Sequence, residues 1–154
     1  MRFIGTTEAK VDTKGRTTVP ATMRKVLHEL GAERVVLRKD DFQPCLVVYP
    51  ESTWSALVGT VRSRLNRWDP REQMLFRQFV ADVEVQQLDA MGRLLIPRRY
   101  LQMAGIGRTV KVIGMDDCIE LWPHDGTDRP FVPPDEWAAA MQHIMNTDNN
   151  EEHK

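Results

Sequence analysis

Two five-residue runs hold the residue types that could do chemistry: Asp12-Thr13-Lys14-Gly15-Arg16 and, 77 positions later, Asp89-Ala90-Met91-Gly92-Arg93. A guanidinium presents a rigid fork of donors that can clamp a phosphate or the O6/N7 edge of guanine in the major groove. In each run the aspartate can bond its own downstream backbone and the glycine can take a positive φ. Asp-x-x-Gly is therefore a tight-turn signal that carries an arginine on a hairpin loop. Lys14, Gly15, Arg16, Gly92 and Arg93, with nearby Arg98 and Arg99, are the candidate residues of a cationic, DNA-binding face. A second reading stays open at this point: Asp12 and Asp89 pair with the arginines inside each turn, an ion pair worth little on an exposed loop.

Other chemistry finds less support. No Ser/His/Asp set, carboxylate pair or phosphate-binding glycine-rich loop stands out by spacing, so no catalytic residue is expected. Cys45 and Cys118 form no C-x-x-C and sit in apolar runs as inert buried thiols. His28, His124, His143 and His153 lie at no metal-ligand spacing, so neither a metal nor a cofactor is expected. Arg62, Arg64, Arg67, Arg71 and Arg77 fall on amphipathic stretches beside Asp69 and Glu72, where a solvated face or subunit contact outweighs a DNA track. Trp54, Trp68, Trp122 and Trp137 read as packing residues of core or interface.

The elements that must position the two runs repeat with them. Val11 to Pro20 lies over Leu88 to Pro97 with Asp, Gly, Arg and Pro identical, and the register continues with small gaps to Cys45-Leu46-Val47-Val48-Tyr49-Pro50 over Cys118-Ile119-Glu120-Leu121-Trp122-Pro123. Each half of about 45 residues reads as strand, turn, strand, short helix, strand, turn, strand. Pro20 and Pro97 close the second strand and suit the first turn of a helix. Met23, Val26, Leu27 and Leu30 then follow at helical spacing up to Gly31. Between the halves, a stripe from Trp54 to Leu65 and another from Leu75 to Val80 predict an α-helical hairpin, the second helix capped by Asp69-Pro70. Trp137, Ala140, Met141, Ile144 and Met145 predict a last amphipathic helix, and 146–154 a polar, disordered tail. So small a half has too little core alone, and two copies should pack around a pseudo-twofold axis.

The bulk numbers fit. The chain has 154 residues, 42 % hydrophobic and 28 % charged, with a mean hydropathy of -0.43, which is enough for one ordinary domain or two very small ones. It holds no apolar run of membrane-spanning length and no signal-peptide pattern after Arg2-Phe3, so a membrane or secreted protein is not expected and the cytoplasm is. A net charge of -1 conceals an asymmetry. Residues 1–109 hold 18 Lys/Arg against 12 Asp/Glu, and residues 110–154 hold 3 against 10. A basic body suits nucleic acid, and an acidic end is a solubilising tail.

Residues 1–145 resemble the MraZ family of bacterial regulators, built from two SpoVT-AbrB-type domains. The resemblance rests on the paired Asp-x-x-Gly-Arg motifs, Arg-Leu-Leu-Ile-Pro at 93–97, Cys-Leu-Val-Val-Tyr-Pro at 45–50 and the helical spacer. It implies an α+β, mainly β fold: a tandem swapped-hairpin AbrB-like β-barrel of pseudo-twofold form with a helical spacer and a C-terminal helix. The corresponding ranges are 6–54 and 83–126 for the two domains, 55–82 for the linker, 127–146 for an insertion and the last helix, and 147–154 for an acidic tail. It implies a homo-oligomeric ring, double-stranded DNA as partner, nucleoid association and repression of the division and cell-wall gene cluster, with no cofactor and no small-molecule substrate. The family's DNA-facing loops fall on Asp12–Arg16 and Asp89–Arg93, with Asp12, Asp89, Pro20 and Pro97 shaping them. Departures from the pattern are the insertion at 124–134 and the acidic end. Ring subunits are related by rotation, so their loops should read direct repeats about 10 to 10.5 bp apart. Related barrels host a decarboxylase that matures at a Gly-Ser bond, a dipeptide this sequence lacks. An antitoxin-like interaction protein is the remaining alternative.

Overall fold

Each Asp-x-x-Gly turn joins two strands, and where those strands go decides the architecture. The computed structural model describes residues 2–126 and 129–152. The first half gives β1 (Thr6–Lys10), β2 (Arg16–Thr18), α1 (Ala21–Glu29), β3 (Val35–Lys39) and β4 (Leu46–Pro50). A helical hairpin, α2 (Glu51–Arg64) and α3 (Pro70–Ala81), leads to β5 (Glu84–Gln86), β6 (Arg93–Leu95), α4 (Arg98–Ala104), β7 (Thr109–Gly114) and β8 (Ile119–Pro123), and α5 (Pro134–Glu152) ends the chain.

The main sheet runs β1-β7-β8-β4-β3-β5, antiparallel throughout, and β2 and β6 form a separate two-stranded ribbon. The first strand of each half pairs with the other half: β1 with β7, and β5 with β3. Thr17 faces Leu94 and Val47 faces Glu120, each residue opposite its own counterpart, so a pseudo-twofold axis passes through both pairs. The β2–β6 ribbon is the seam beside both turns.

The core draws on both halves equally. Met23, Val26 and Leu27 of α1 and Tyr100 and Ala104 of α4 bury against Leu37, Leu46, Leu94, Ile96, Val110 and Val112. Burial alternates along β7, where Val110 and Val112 point inward. It is continuous along β3, because α2 and α3 cover the second face and with it the buried Arg38. That guanidinium meets Asp41 with two bonds of 2.9 and 3.0 Å, donates to the Phe79 carbonyl and lies 4.5 Å from the Phe79 ring centroid. A buried charge persists only with such compensation.

Several elements differ in detail from expectation. Asp69 caps α3 through Arg71 N–H and Glu72 N–H with Pro70 in the first turn, as the sequence predicts. Pro20 and Pro97 stand one place earlier than the first turn, at the N-caps of α1 and α4. Leu30 is the exposed C-cap of α1 and takes no part in its stripe. The tryptophans divide: Trp54 packs on Phe79 and Tyr49, and Trp122 on Phe131, whereas Trp68 is 93 % exposed and Trp137 56 %. The helix α5 continues to Glu152, through most of the expected tail, while His153, Lys154, Thr127 and Asp128 lie outside the described residues.

Candidate nucleic-acid interface

The two turns are built alike, bond for bond. In the first, Asp12 Oδ1 accepts from Lys14 N–H at 3.0 Å and Arg16 N–H at 2.8 Å, and Oδ2 accepts from Arg16 Nε at 2.7 Å. In the second, Asp89 Oδ1 accepts from Met91 and Arg93 N–H, both at 2.9 Å, and Oδ2 from Arg93 Nε at 2.7 Å. Backbone bonds Gly15 N–H to Asp12 C=O and Gly92 N–H to Asp89 C=O close the loops. The aspartate thus supplies the bonds that a turn's unpaired backbone lacks. In each turn the arginine's backbone N–H is the largest influence holding the carboxyl below the usual carboxylate range, with its guanidinium adding to it.

Each turn is also anchored by the opposite half. Ile96 N–H donates to Gly15 C=O at 2.8 Å, and Val19 N–H to Gly92 C=O at 3.0 Å. Gly15 sits at φ +89, and a Cβ there would stand 2.6 Å from the Ile96 carbonyl oxygen. Glycine is required both for the backbone angle and for that close approach.

The intra-turn ion pair and a role in binding, left open by the sequence, are compatible. Arg16 and Arg93 are the first residues of β2 and β6 and half buried, which corrects their expected place at exposed tips. Each spends Nε on its aspartate, and among the described residues no hydrogen bond occupies either Nη edge. Pairing fixes the rotamer and leaves the outer edge of the fork for a ligand.

The other candidates separate. Lys14, Arg98 and Arg108 line an open groove beside the first turn. Arg99 is turned elsewhere: it holds Asp82 through two bonds of 2.7 and 2.9 Å, and buried Tyr100 donates its hydroxyl to the same carboxylate at 2.8 Å. This network ties α4 to the end of α3 and engages both terminal nitrogens of Arg99. Arg99 first, then Tyr100, lowers the Asp82 carboxyl, and burial first, then Asp82, raises the Tyr100 phenol to about 12.

Two residues were not legible as site members. Arg108 joins the first turn because its carbonyl accepts from Val11 N–H, a consequence of β1 pairing with β7. Arg24 reaches the second turn from α1 and donates Nη1 to the Met91 carbonyl at 3.1 Å. Neither carries a local sequence signal.

The cysteines are buried, and burial pushes both thiols up to about 12, which makes them inert at neutral pH. Arg62 lies over the Phe76 ring at 4.8 Å, on an exposed helix face. Among the described residues no group of His, Cys, Asp and Glu could hold a metal ion, and no helix is long and apolar enough to cross a membrane.

A family model described as "MraZ protein, putative antitoxin-like" matches residues 2–78 and 79–126. The chain belongs to the MraZ family. A transcriptional regulator MraZ of Phocaeicola vulgatus is 50 % identical over 152 residues, covering 99 % of each chain. Homologues of the same name in Bacteroides thetaiotaomicron and Bacteroides fragilis are 47 % and 44 % identical, covering 99 % and 98 % of this chain and 97 % and 98 % of their own lengths. The family match divides within the last turn of α3, so each portion holds one Asp-x-x-Gly-Arg turn.

Proposed function

We propose that this chain is a sequence-specific, DNA-binding transcriptional regulator, a repressor of the division and cell-wall gene cluster acting in the cytoplasm at the nucleoid. The observation that carries the reading is the pair of matched turns, each offering an arginine Nη edge from a rotamer fixed by its own aspartate. The relatives' shared name, transcriptional regulator MraZ, supports the class of function and argues against an enzyme. The exchange of β1 and β5 between halves supports a swapped-hairpin barrel as the scaffold. In this reading Arg16 and Arg93 meet base edges, Lys14 and Arg98 meet phosphates, and Gly15 and Gly92 let the backbone approach.

The chain assembles with copies of itself into a ring. One chain offers only two arginines, and exposed Leu75, Trp137, Met141 and Ile144 leave apolar helix surface to be covered. Rotation between subunits points equivalent turns the same way, so the operator carries direct repeats about one helical turn apart. Footprinting the purified protein on DNA upstream of its own gene tests this. The expected result is protection of repeats spaced about 10 bp, abolished by Arg16→Ala with Arg93→Ala and by a half-turn insertion of about 5 bp. Protection of a single inverted repeat overturns the ring, and no protection overturns DNA regulation. The second reading, an antitoxin-like interaction protein, draws on the family's description and on the exposed stripe of α5. A small protein co-purifying in fixed ratio, with no footprint, favours it.

A further inference from the structure

The two turns match in their own hydrogen bonds and differ in what surrounds them. Beside the first lies an open groove of about 780 Å³ lined by Lys14, Arg98 and Arg108 together with Ile96 and Leu101. All three cations are exposed, and among the described residues none makes a side-chain hydrogen bond or ion pair. The groove's carboxylate, Asp12, is already occupied by Lys14 N–H, Arg16 N–H and Arg16 Nε.

The pseudo-twofold places different residues at the second turn. Met91 answers Lys14 and Ala21 answers Arg98, from the registers of the turns and of the prolines. Val110, paired with Ala9 and Pro123, corresponds to Val35, paired with Gln86 and Pro50, so Glu33 answers Arg108. Three cations on one side become methionine, alanine and a carboxylate on the other. The added cation there, Arg24, is spent on the Met91 carbonyl. Met91 itself is 68 % exposed.

We propose that, beyond the arginine each turn offers to base edges, the turns differ in their contact with a duplex: the Lys14–Arg98–Arg108 groove is a phosphate-backbone clamp found at the first turn alone, and the second adds a base-edge contact through Met91, whose apolar surface suits the thymine methyl group. Three like charges without carboxylate partners repel one another, and a polyanion relieves that repulsion while releasing its own counterions. The clamp exists only because the halves are exchanged, since Lys14 comes from one and Arg98 and Arg108 from the other.

This inference rests on the DNA-binding reading, and one titration series tests the two separately. Affinity for a duplex carrying the region upstream of the chain's own gene is measured against salt for the unaltered protein and for Lys14→Ala, Arg98→Ala, Arg108→Ala and Met91→Ala. Each cation removed should lower the log-log salt slope by about 0.9, so that a fourfold rise in salt costs about 3.5-fold less affinity than in the unaltered protein. Met91→Ala should keep the slope, and it should abolish the affinity lost when thymines of the site are replaced by uracil. Unchanged slopes in the three cation variants overturn the clamp, as does a slope change of the same size in Met91→Ala. A uracil-substituted site bound as tightly as the original by the unaltered protein overturns the role of Met91. Failure of the unaltered protein to bind at any salt overturns the DNA-binding reading as well. All three cations are exposed, and circular-dichroism melts of the variants confirm that only binding has been changed.

Discussion

The exchanged β body and the C-terminal helix obey opposite rules. In the body every long strand finds partners, and residues from both halves share one core, with Tyr100, Leu94 and Leu37 wholly buried. Helix α5 carries an apolar stripe of its own at Trp137, Met141 and Ile144, yet all of these remain exposed, as do its other described side chains. The nearest anchoring is just upstream, where Phe131 lies against the Trp122 ring at 4.9 Å and under Lys111. An amphipathic pattern specifies a face but not the surface that covers it. One chain completes the body and leaves the described side chains of α5 exposed, so damage at the seam of the body should propagate and damage in α5 should not.

The largest expected effect is at that seam. Gly15→Val forces a β-branched residue to φ +89 and drives its Cβ into the Ile96 carbonyl, the group next to the bond that anchors the turn. A loss of about 3 kcal/mol or more is expected in denaturant unfolding. Gly31→Ala is the control: φ is +67, but a Cβ there has open space, so the cost should stay near 1 to 2 kcal/mol. Equal effects would show that backbone angle alone, not the cross-half contact, makes Gly15 necessary.

A smaller effect of opposite sign is expected on the axis itself. Thr17 is buried and pairs with Leu94, and its hydroxyl has no hydrogen-bond partner among the described residues. Thr17→Val removes an unsatisfied polar atom while keeping the branched shape, and should stabilise the body by about 1 kcal/mol. Destabilisation in thermal melts would mean the hydroxyl is satisfied in solution.

How much of this was legible follows from which interactions are local. The Asp-x-x-Gly-Arg turns, the Asp69-Pro70 cap and the buried cysteines depend on residues within a few positions of each other, and the sequence exposes them. Which strand pairs with which depends on distant chain, so Arg108 could not be placed beside Lys14 from spacing, nor Arg24 beside Met91. The Arg99–Asp82 pair was not legible for the same reason: Arg99 follows Arg98 directly, and only packing of α4 against the end of α3 brings Asp82 to it. The tryptophan stripes showed amphipathic helices correctly, but the partial burial of Trp54 and the exposure of Trp137 are decided by what lies opposite.

The acid limb of stability should sharpen the comparison further. The carboxyls of Asp12 and Asp89 are held below their ordinary range in the fold, first by the Arg16 and Arg93 backbone N–H groups. A depressed folded pKa gives stabilisation that is complete above the unfolded value of about 3.9 and is lost as pH falls through the lower folded value. Asp12→Asn with Asp89→Asn should therefore be less stable than the unaltered chain at neutral pH and lose less on acidification below about pH 4. The two curves should converge at the acid end. Parallel curves across that range would remove these carboxylates from the stability of the turns.

The smallest effect on the body should come from the largest deletion. A chain ending at Pro133 lacks all of α5 yet removes no buried side chain among the described residues, so at a concentration where both proteins are monomeric its unfolding midpoint should match that of the full chain. A difference under about 0.5 kcal/mol is expected, as for surface changes away from the core. The same deletion should act on assembly, because an isolated helix of this length is marginal in water and gains stability by burying its stripe against something else. Light scattering across micromolar concentrations should show the full chain associating, with the truncated chain smaller or monomeric. A truncated body that melts several degrees lower would mean α5 packs on its own chain. Unchanged assembly would move the subunit contact to the other exposed helix surface, around Leu75 on α3.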